Sequence, residues 1–200
     1  MFLAAALLVA AAPGPGLFYV AARALAGGRR EGLASSIGLG LGGLVHVIAG
    51  AVGVSALVMA SAQAFTLLKV LGAVYLVWLG VKAWRDARVL APIDLRTTSV
   101  RRAFRDGIVV EALNPKTAAF FLAFIPQFVD PARPVAAQFV VLGLVSVCLN
   151  TTADIIVTCC AAMARTSLQD RPTLIVRARQ TSGAIMCGLG ASLLFVRRAA

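Results

Sequence analysis

The chain has 200 residues, of which 60% are hydrophobic and only 14% are charged, and its formal net charge is +11. So few polar residues cannot cover a water-soluble globule of this length. The basic residues lie mainly between long apolar runs and are not interleaved with stacking aromatic residues, which argues against nucleic-acid binding. The runs do not alternate apolar and polar residues as barrel strands do, so the composition predicts an all-α polytopic membrane protein.

Six apolar runs follow one another, and each predicts a transmembrane helix, because a helix needs about 20 mostly apolar residues to cross a bilayer. The last run rises only about 24 Å, so its helix must extend past Arg179 or rely on snorkelling arginines. In chain order the runs cover residues 2–24, 35–60, 65–83, 107–129, 135–163 and 181–196.

The distribution of basic residues predicts the orientation of these helices. The first, third and fifth connections hold three, seven and four of the 19 Lys and Arg residues, whereas the opposite side holds three. Basic connections face the cytoplasm, so both termini are expected outside. We expect one transmembrane domain over 1–200, with a three-helix half at 1–83, a basic cytoplasmic loop at 84–106 and a second half at 107–200. Halves of three helices enter the membrane in opposite directions, which predicts a 3+3 inverted repeat if they are homologous.

Helix one is interrupted by Pro13-Gly14-Pro15-Gly16. Proline has no backbone N–H, so Pro13 and Pro15 free the carbonyls of Val9 and Ala11. Exposed polar backbone persists inside a membrane only where protein or a water-filled cavity surrounds it, so we expect this break to face the interior of the bundle. A simple proline kink is the alternative interpretation.

Helix four carries a matching interruption at Asn114-Pro115-Lys116, where Pro115 frees the carbonyl of Glu111. The breaks in helices 1 and 4 occupy corresponding places in the two halves. Paired broken helices of this kind indicate a transport site near the middle of the bilayer. We therefore take both interruptions as candidate substrate-binding segments.

Three ionisable residues, Glu111, Lys116 and Asp154, lie within the predicted helices. A charge at the bilayer centre is costly and needs a partner or water, so Lys116 is expected to pair with one of the two carboxylates. We favour Asp154 as a reusable site for a proton or a substrate ammonium, with a purely structural ion pair as the alternative. His46 is either a proton relay or a hydrogen-bonded structural residue.

The cysteines are Cys148, Cys159, Cys160 and Cys187, and they have no metal-type spacing. We interpret them as small packing residues, with a soft-metal role for the adjacent Cys159 and Cys160 as the alternative. The sequence also lacks a P-loop, an HExxH motif and a GxSxG motif. We therefore predict no ATP-driven transport, no enzymatic activity, no cofactor and no bound metal.

Several motifs in a fixed order resemble the LysE/RhtB family of amino-acid exporters across nearly the whole chain. Each motif alone is weak, but their order is specific. They are Pro13-Gly14-Pro15, the small-residue run from Gly38 to His46, the segment from Lys69 to Leu76, Asn114-Pro115-Lys116 with Phe120-Phe121, Pro126-Gln127-Phe128, and Asp154.

The resemblance implies a six-helix bundle in the bacterial cytoplasmic (inner) membrane that exports amino acids such as lysine, threonine, homoserine or leucine in exchange for protons. Its partners would be the substrate, protons and the lipid bilayer, with a homo-oligomer left open. A heavy-metal or other small-solute exporter, and a non-transporting membrane subunit, are the alternative functions. Glu111 stands where the family often has asparagine, which bears on substrate choice. By the match of these motifs, the resemblance implies site residues at Pro13, Gly14, Pro15, Asn114, Pro115, Lys116 and Asp154. The residue patterns described above add Gly16 as a candidate for substrate binding and Glu111 and His46 as candidates for proton coupling.

Overall fold

The computed structural model describes residues 2–60, 62–88, 97–163 and 172–195. Within these ranges the chain is helical apart from short connections and contains no strand, which confirms the all-α prediction. Some of the basic residues that were counted to predict the orientation lie outside the described residues. They are Arg96, Arg165, Arg171, Arg197 and Arg198. The helices are α1 (Phe2–Ala11), α2 (Pro15–Ala60), α3 (Ala62–Arg85), α4 (Val100–Ala112), α5 (Pro115–Ala119), α6 (Val135–Met163) and α7 (Pro172–Phe195).

Three helical segments of the described chain are long and apolar enough to cross a membrane: Pro15–Gly53, Val100–Phe128 and Val135–Met163. α1 is a shorter apolar helix. One face of α2 leaves large apolar side chains exposed at intervals of three or four residues, which suits contact with lipid acyl chains. These side chains belong to Ile37, Leu41, Val45, Ile48 and Val52.

The predicted break in helix one is present, but the predicted connection after it is wrong. α1 ends at Ala11 and α2 begins at Pro15. From there α2 continues through residues 25–34, which we expected to be a polar connection, and only Gly28 departs from helical geometry, with a φ of 74° and a ψ of −167°. Glycine adopts this left-handed region readily because it has no Cβ. One residue therefore provides the turn for which the sequence predicted a loop.

The basic loop predicted over 84–106 is also shorter than expected at its C-terminal end. α4 begins at Val100, ahead of the predicted start at residue 107. The Ser99 Oγ accepts a hydrogen bond from the Arg102 backbone N–H at 3.2 Å, which caps the helix at this point. α6 has the predicted bounds. α7 begins at Pro172, so the last helix extends past Arg179, which was one of the two ways in which it was predicted to span the membrane.

The helices pack around a core rich in phenylalanine. α2 packs against α4 and α6, and α3 packs against α7. Phe120, Phe121 and Phe139 are fully buried. The turn Phe120–Phe124 is a π-helix, in which the Ile125 N–H bonds to the Phe120 carbonyl, and a 3₁₀ turn at Ile125–Phe128 follows. Pro126 has no N–H with which to continue a regular α-helix here, so the helix changes its winding just beyond the second break.

The close contact between α2 and α4 depends on Gly38, where an added Cβ would overlap the carbonyl oxygen of Phe104. We expect Gly38→Ala to destabilise the protein by about 2 kcal/mol, because backbone atoms cannot give way as a flexible side chain can. Thermal unfolding in detergent measures the effect. Gly53→Ala on the same helix is the matched control, since a Cβ there meets nothing within 4 Å. Equal midpoints for the two variants would contradict this view of the contact.

Candidate functional site

The two helix breaks lie side by side in the structure. Pro13 follows the end of α1, and Pro115 begins α5 after the end of α4. The Asn114 side chain caps α5 by accepting a hydrogen bond from the Lys116 backbone N–H at 3.0 Å. Gly14 faces the Lys116 side chain so closely that an added Cβ would lie 3.1 Å from its Cδ. The absence of a side chain at Gly14 is therefore what gives Lys116 access to the first break.

Lys116 bridges the breaks through its ammonium group. The Nζ donates hydrogen bonds to the backbone carbonyls of Val9 at 3.0 Å and Ala12 at 2.8 Å, and the residue is buried. The end of α1 suits a cation, because carbonyls at a helix C-terminus carry partial negative charge. The Val9 carbonyl is one of the two that the prolines were predicted to free. The second carbonyl that accepts from Nζ is that of Ala12, whereas the sequence had predicted Ala11 to be free. Within the described residues these carbonyls, not the expected carboxylate, are the hydrogen-bond partners of Nζ.

Glu111 connects the second break to its surroundings. Its Oε2 accepts a hydrogen bond from the Asn114 amide at 2.8 Å, and its Oε1 accepts one from the Thr117 hydroxyl at 2.6 Å. The backbone carbonyl of Glu111 accepts a hydrogen bond from the His46 Nε2–H at 2.8 Å. Glu111, Asn114 and Thr117 are all buried. The Glu111 carbonyl, which receives no N–H from Pro115, thus accepts hydrogen bonds from a histidine of α2 and from the Asn114 backbone N–H at 3.0 Å, and both carboxylate oxygens have donors.

Asp154 faces this cluster from α6. The residue is buried, with a relative exposure of 6%. Within the described residues no group donates a hydrogen bond to its carboxylate. Two cavities of about 10 Å³ each are lined by both Asp154 and Glu111. Such a volume holds about one water molecule. The structure therefore brings two carboxylates to the same water-sized spaces, an arrangement suited to holding and passing a proton.

Gly16 completes the approach of α2 to this cluster. A Cβ at Gly16 would lie 2.5 Å from the Leu39 Cδ2 and 2.9 Å from the Glu111 Oε2. Pro13, Gly14 and Pro15, together with Pro115 and Lys116, line a larger cavity on the other side of the site. All ten residues singled out from the sequence thus lie in one region of the molecule: Pro13, Gly14, Pro15, Gly16, His46, Glu111, Asn114, Pro115, Lys116 and Asp154.

Residues that the sequence analysis missed also belong to this region. Thr117 bonds to Glu111, and Asn150, one turn before Asp154 on α6, lines both small cavities. Thr117 directly follows the Asn114-Pro115-Lys116 break, and a polar residue next to a membrane break was a usable signal. Asn150 offered a similar signal, since it precedes Asp154 by four positions and therefore shares its helix face.

A second polar cluster, at the bend of α2, was also missed. The Arg23 Nη1 lies 4.0 Å from the Glu31 Oε2, and both side chains are largely buried. The Glu31 Oε1 accepts a hydrogen bond from the Thr98 backbone N–H at 2.9 Å, just before α4 begins. The Tyr19 hydroxyl donates to the Ala103 carbonyl at 3.2 Å. Arg23 thus has a structural partner, whereas its position in the sequence had marked it only as an orientation signal.

Metal binding finds no support in the described part of the chain. No group of three or more His, Cys, Asp or Glu side chains is placed there to hold an ion. The four cysteines are free thiols. Cys159 and Cys160 are neighbours on α6, and successive helix residues point about 100° apart.

Comparison with known proteins identifies the family. The model of the family described as LysE type translocator matches residues 7–197 of the chain. An uncharacterized membrane protein of Vibrio cholerae is 35% identical over 193 residues, which cover 94% of this chain and 92% of the relative. The homoserine/homoserine lactone efflux protein of Salmonella typhimurium is 35% identical over 150 residues, covering 74% and 73%. The leucine efflux protein of Klebsiella pneumoniae is 28% identical over 150 residues, covering 72% and 69%.

No solved structure matches the chain. The family match nevertheless extends over almost all of the sequence and includes both helix breaks and Asp154. The chain therefore belongs to the LysE type translocator family.

Proposed function

We propose that this chain is a secondary transporter that exports amino acids or close derivatives across the bacterial cytoplasmic membrane in exchange for protons. Its translocator family and its relatives named for homoserine, homoserine lactone and leucine efflux support a small amino acid as substrate. The structural observation that carries the proposal is the contact between the two helix breaks, where Lys116 of the second break donates two hydrogen bonds to carbonyls of the first.

The proposed architecture is six transmembrane helices in a 3+3 inverted repeat, with both termini outside and the site at the repeat interface. Each half begins with a helix that proline interrupts, and elements in corresponding positions pack against each other, α2 with α6 and α3 with α7. Pairing of this kind is what a two-fold axis between the halves would produce. Alternating access then consists of a rocking motion of the halves around the two breaks.

The substrate ammonium is proposed to bind where the Lys116 ammonium now lies. The Val9 and Ala12 carbonyls already hold a primary ammonium group, and a bound amino acid presents the same chemistry. When the substrate takes this place, Lys116 is released and its positive charge becomes available to the substrate carboxylate. The lysine thereby neutralises the site when it is empty and binds the substrate when it is loaded.

Asp154 is proposed to exchange the coupled proton. It is buried, it lacks a hydrogen-bond donor within the described residues, and it lines cavities with room for about one water molecule. Glu111 shares these cavities, and His46 holds the Glu111 backbone, so both belong to the surroundings that set the charge of the site. A carboxylate that is neutral in one state and charged in another can couple transport to the proton gradient without any cofactor.

Purified protein in proteoliposomes tests the proposal. Labelled homoserine and labelled leucine should accumulate against their concentration gradients when a pH gradient is imposed, and a protonophore should abolish that accumulation. Liposomes without protein serve as the control. If neither amino acid moves under a pH gradient or by exchange with unlabelled substrate, amino-acid export is rejected.

A further inference from the structure

A cavity of about 380 Å³ adjoins the candidate site. Sites for small molecules have volumes of roughly 300–1,000 Å³, so this space is large enough for an amino acid. Gly14 and Lys116 line it, as do Lys82 in the last turn of α3 and Asp86 directly after that helix. The predicted orientation puts that end of α3 on the cytoplasmic side, from which an exporter must load its substrate.

Lys116 stands between this cavity and the water-sized cavities beside Asp154, since it lines the large cavity and one of the small ones. A substrate in the large cavity therefore meets Lys116 before it reaches either buried carboxylate. The described structure thus has a cavity of ligand size next to small cavities beside the carboxylates, and Lys116 lines the large cavity and one of the small ones.

The wall of the large cavity is mostly apolar. Phe18 from α2, Leu79 from α3 and Met186 from α7 contribute hydrophobic surface. Among the described residues that line it, the charged ones are Lys82, Lys116 and Asp86. A substrate side chain that is uncharged and apolar finds hydrophobic contacts there, whereas a cationic side chain meets an excess of positive charge.

We propose that this cavity is the loading site for substrate and that it selects amino acids with an uncharged, largely apolar side chain over lysine and arginine. The inference rests on the proposed function and adds the place of selection and the substrate class. Selection arises from the apolar wall for the side chain and from the lysines, which favour the substrate carboxylate and disfavour a second positive charge.

Competition in proteoliposomes tests the substrate class. Exchange of labelled leucine by the wild-type protein should be inhibited by unlabelled leucine or methionine and left unaffected by equal concentrations of lysine or arginine. Lysine that competes as well as leucine would overturn the selection we infer while leaving amino-acid export intact. A wild-type protein that exchanges no amino acid would overturn the proposed function and this inference together.

The place of selection is tested by filling the cavity. Leu79→Trp should lower leucine exchange about tenfold or more, with a smaller effect on alanine, because a pocket discriminates side chains by the volume it leaves. Val74→Trp on the same helix adds a comparable bulk at a residue that is 58% exposed and does not line the cavity, so its exchange rates should match the wild type.

Ala83→Leu narrows the same cavity from another position and provides a second test if Leu79→Trp fails to fold. Size-exclusion chromatography in detergent establishes folding before each assay. Reduced leucine exchange in every cavity variant that folds, with Val74→Trp unchanged, supports the assignment. Wild-type leucine exchange in a folded cavity variant would overturn it.

Discussion

Asp154→Asn is expected to abolish accumulation driven by a pH gradient while the protein stays folded. Asparagine has nearly the same size as aspartate and fits the same buried position, but it cannot take up and release a proton. Uptake of labelled homoserine or leucine into proteoliposomes under an imposed pH gradient should therefore fall to the level of protein-free liposomes. Exchange at equal pH on both sides should persist if the residue serves only the proton.

Asp106→Asn is the matched control for this prediction. It makes the same chemical change at a carboxylate that is half exposed and pairs with Arg102 on the surface at 3.6 Å. Surface ion pairs of this kind contribute little to the stability of a protein. Its transport should equal that of the wild type. Asp154→Asn protein that accumulates substrate normally under the gradient would reject the role of Asp154 in coupling.

Lys116→Met is expected to abolish transport and to lower stability as well. Methionine preserves the unbranched apolar chain that lies beside Gly14, but it leaves the Val9 and Ala12 carbonyls without their donor. A hydrogen bond from a charged group contributes about 1.5–3 kcal/mol, so the loss of both predicts a destabilisation of about 3 kcal/mol or more. Thermal unfolding in detergent and leucine exchange measure the two effects.

Arg133→Met provides the comparison for Lys116→Met, since it removes a basic side chain that is 77% exposed and pairs with Asp130 on the surface. It should alter neither the unfolding midpoint nor exchange. A Lys116→Met protein that unfolds at the wild-type temperature would show that the bonds to α1 do not stabilise the fold, and one that exchanges leucine at the wild-type rate would remove Lys116 from the proposed site.

The sequence predicted the interruptions of both helices because their cause is local. A proline lacks the backbone N–H of a regular helix wherever it occurs, so the breaks near Pro13 and Pro115 follow from the chain alone. The bounds of α6 were equally accessible, since an apolar run of membrane-spanning length fixes them. The gathering of the candidate residues into one region was predicted from the paired breaks, and the structure brings them together.

The partner of Lys116 could not be predicted, because it depends on how two distant segments pack. Charge balance pointed to a carboxylate, whereas the structure gives Nζ two carbonyls, which are within reach because Gly14 leaves space for the lysine chain. The same limit applies to Arg23, whose partner Glu31 lies across a bend that a single glycine makes. Hydropathy detects apolar runs, but it does not distinguish a one-residue bend from a loop.

The bend at Gly28 lets one helix contact two distant parts of the molecule. The part of α2 before it carries Gly16 beside Glu111, and the part after it carries Glu31, whose carboxylate holds the Thr98 backbone ahead of α4. Because a single residue joins the two parts, α2 connects the surroundings of the helix breaks to the residues directly before α4.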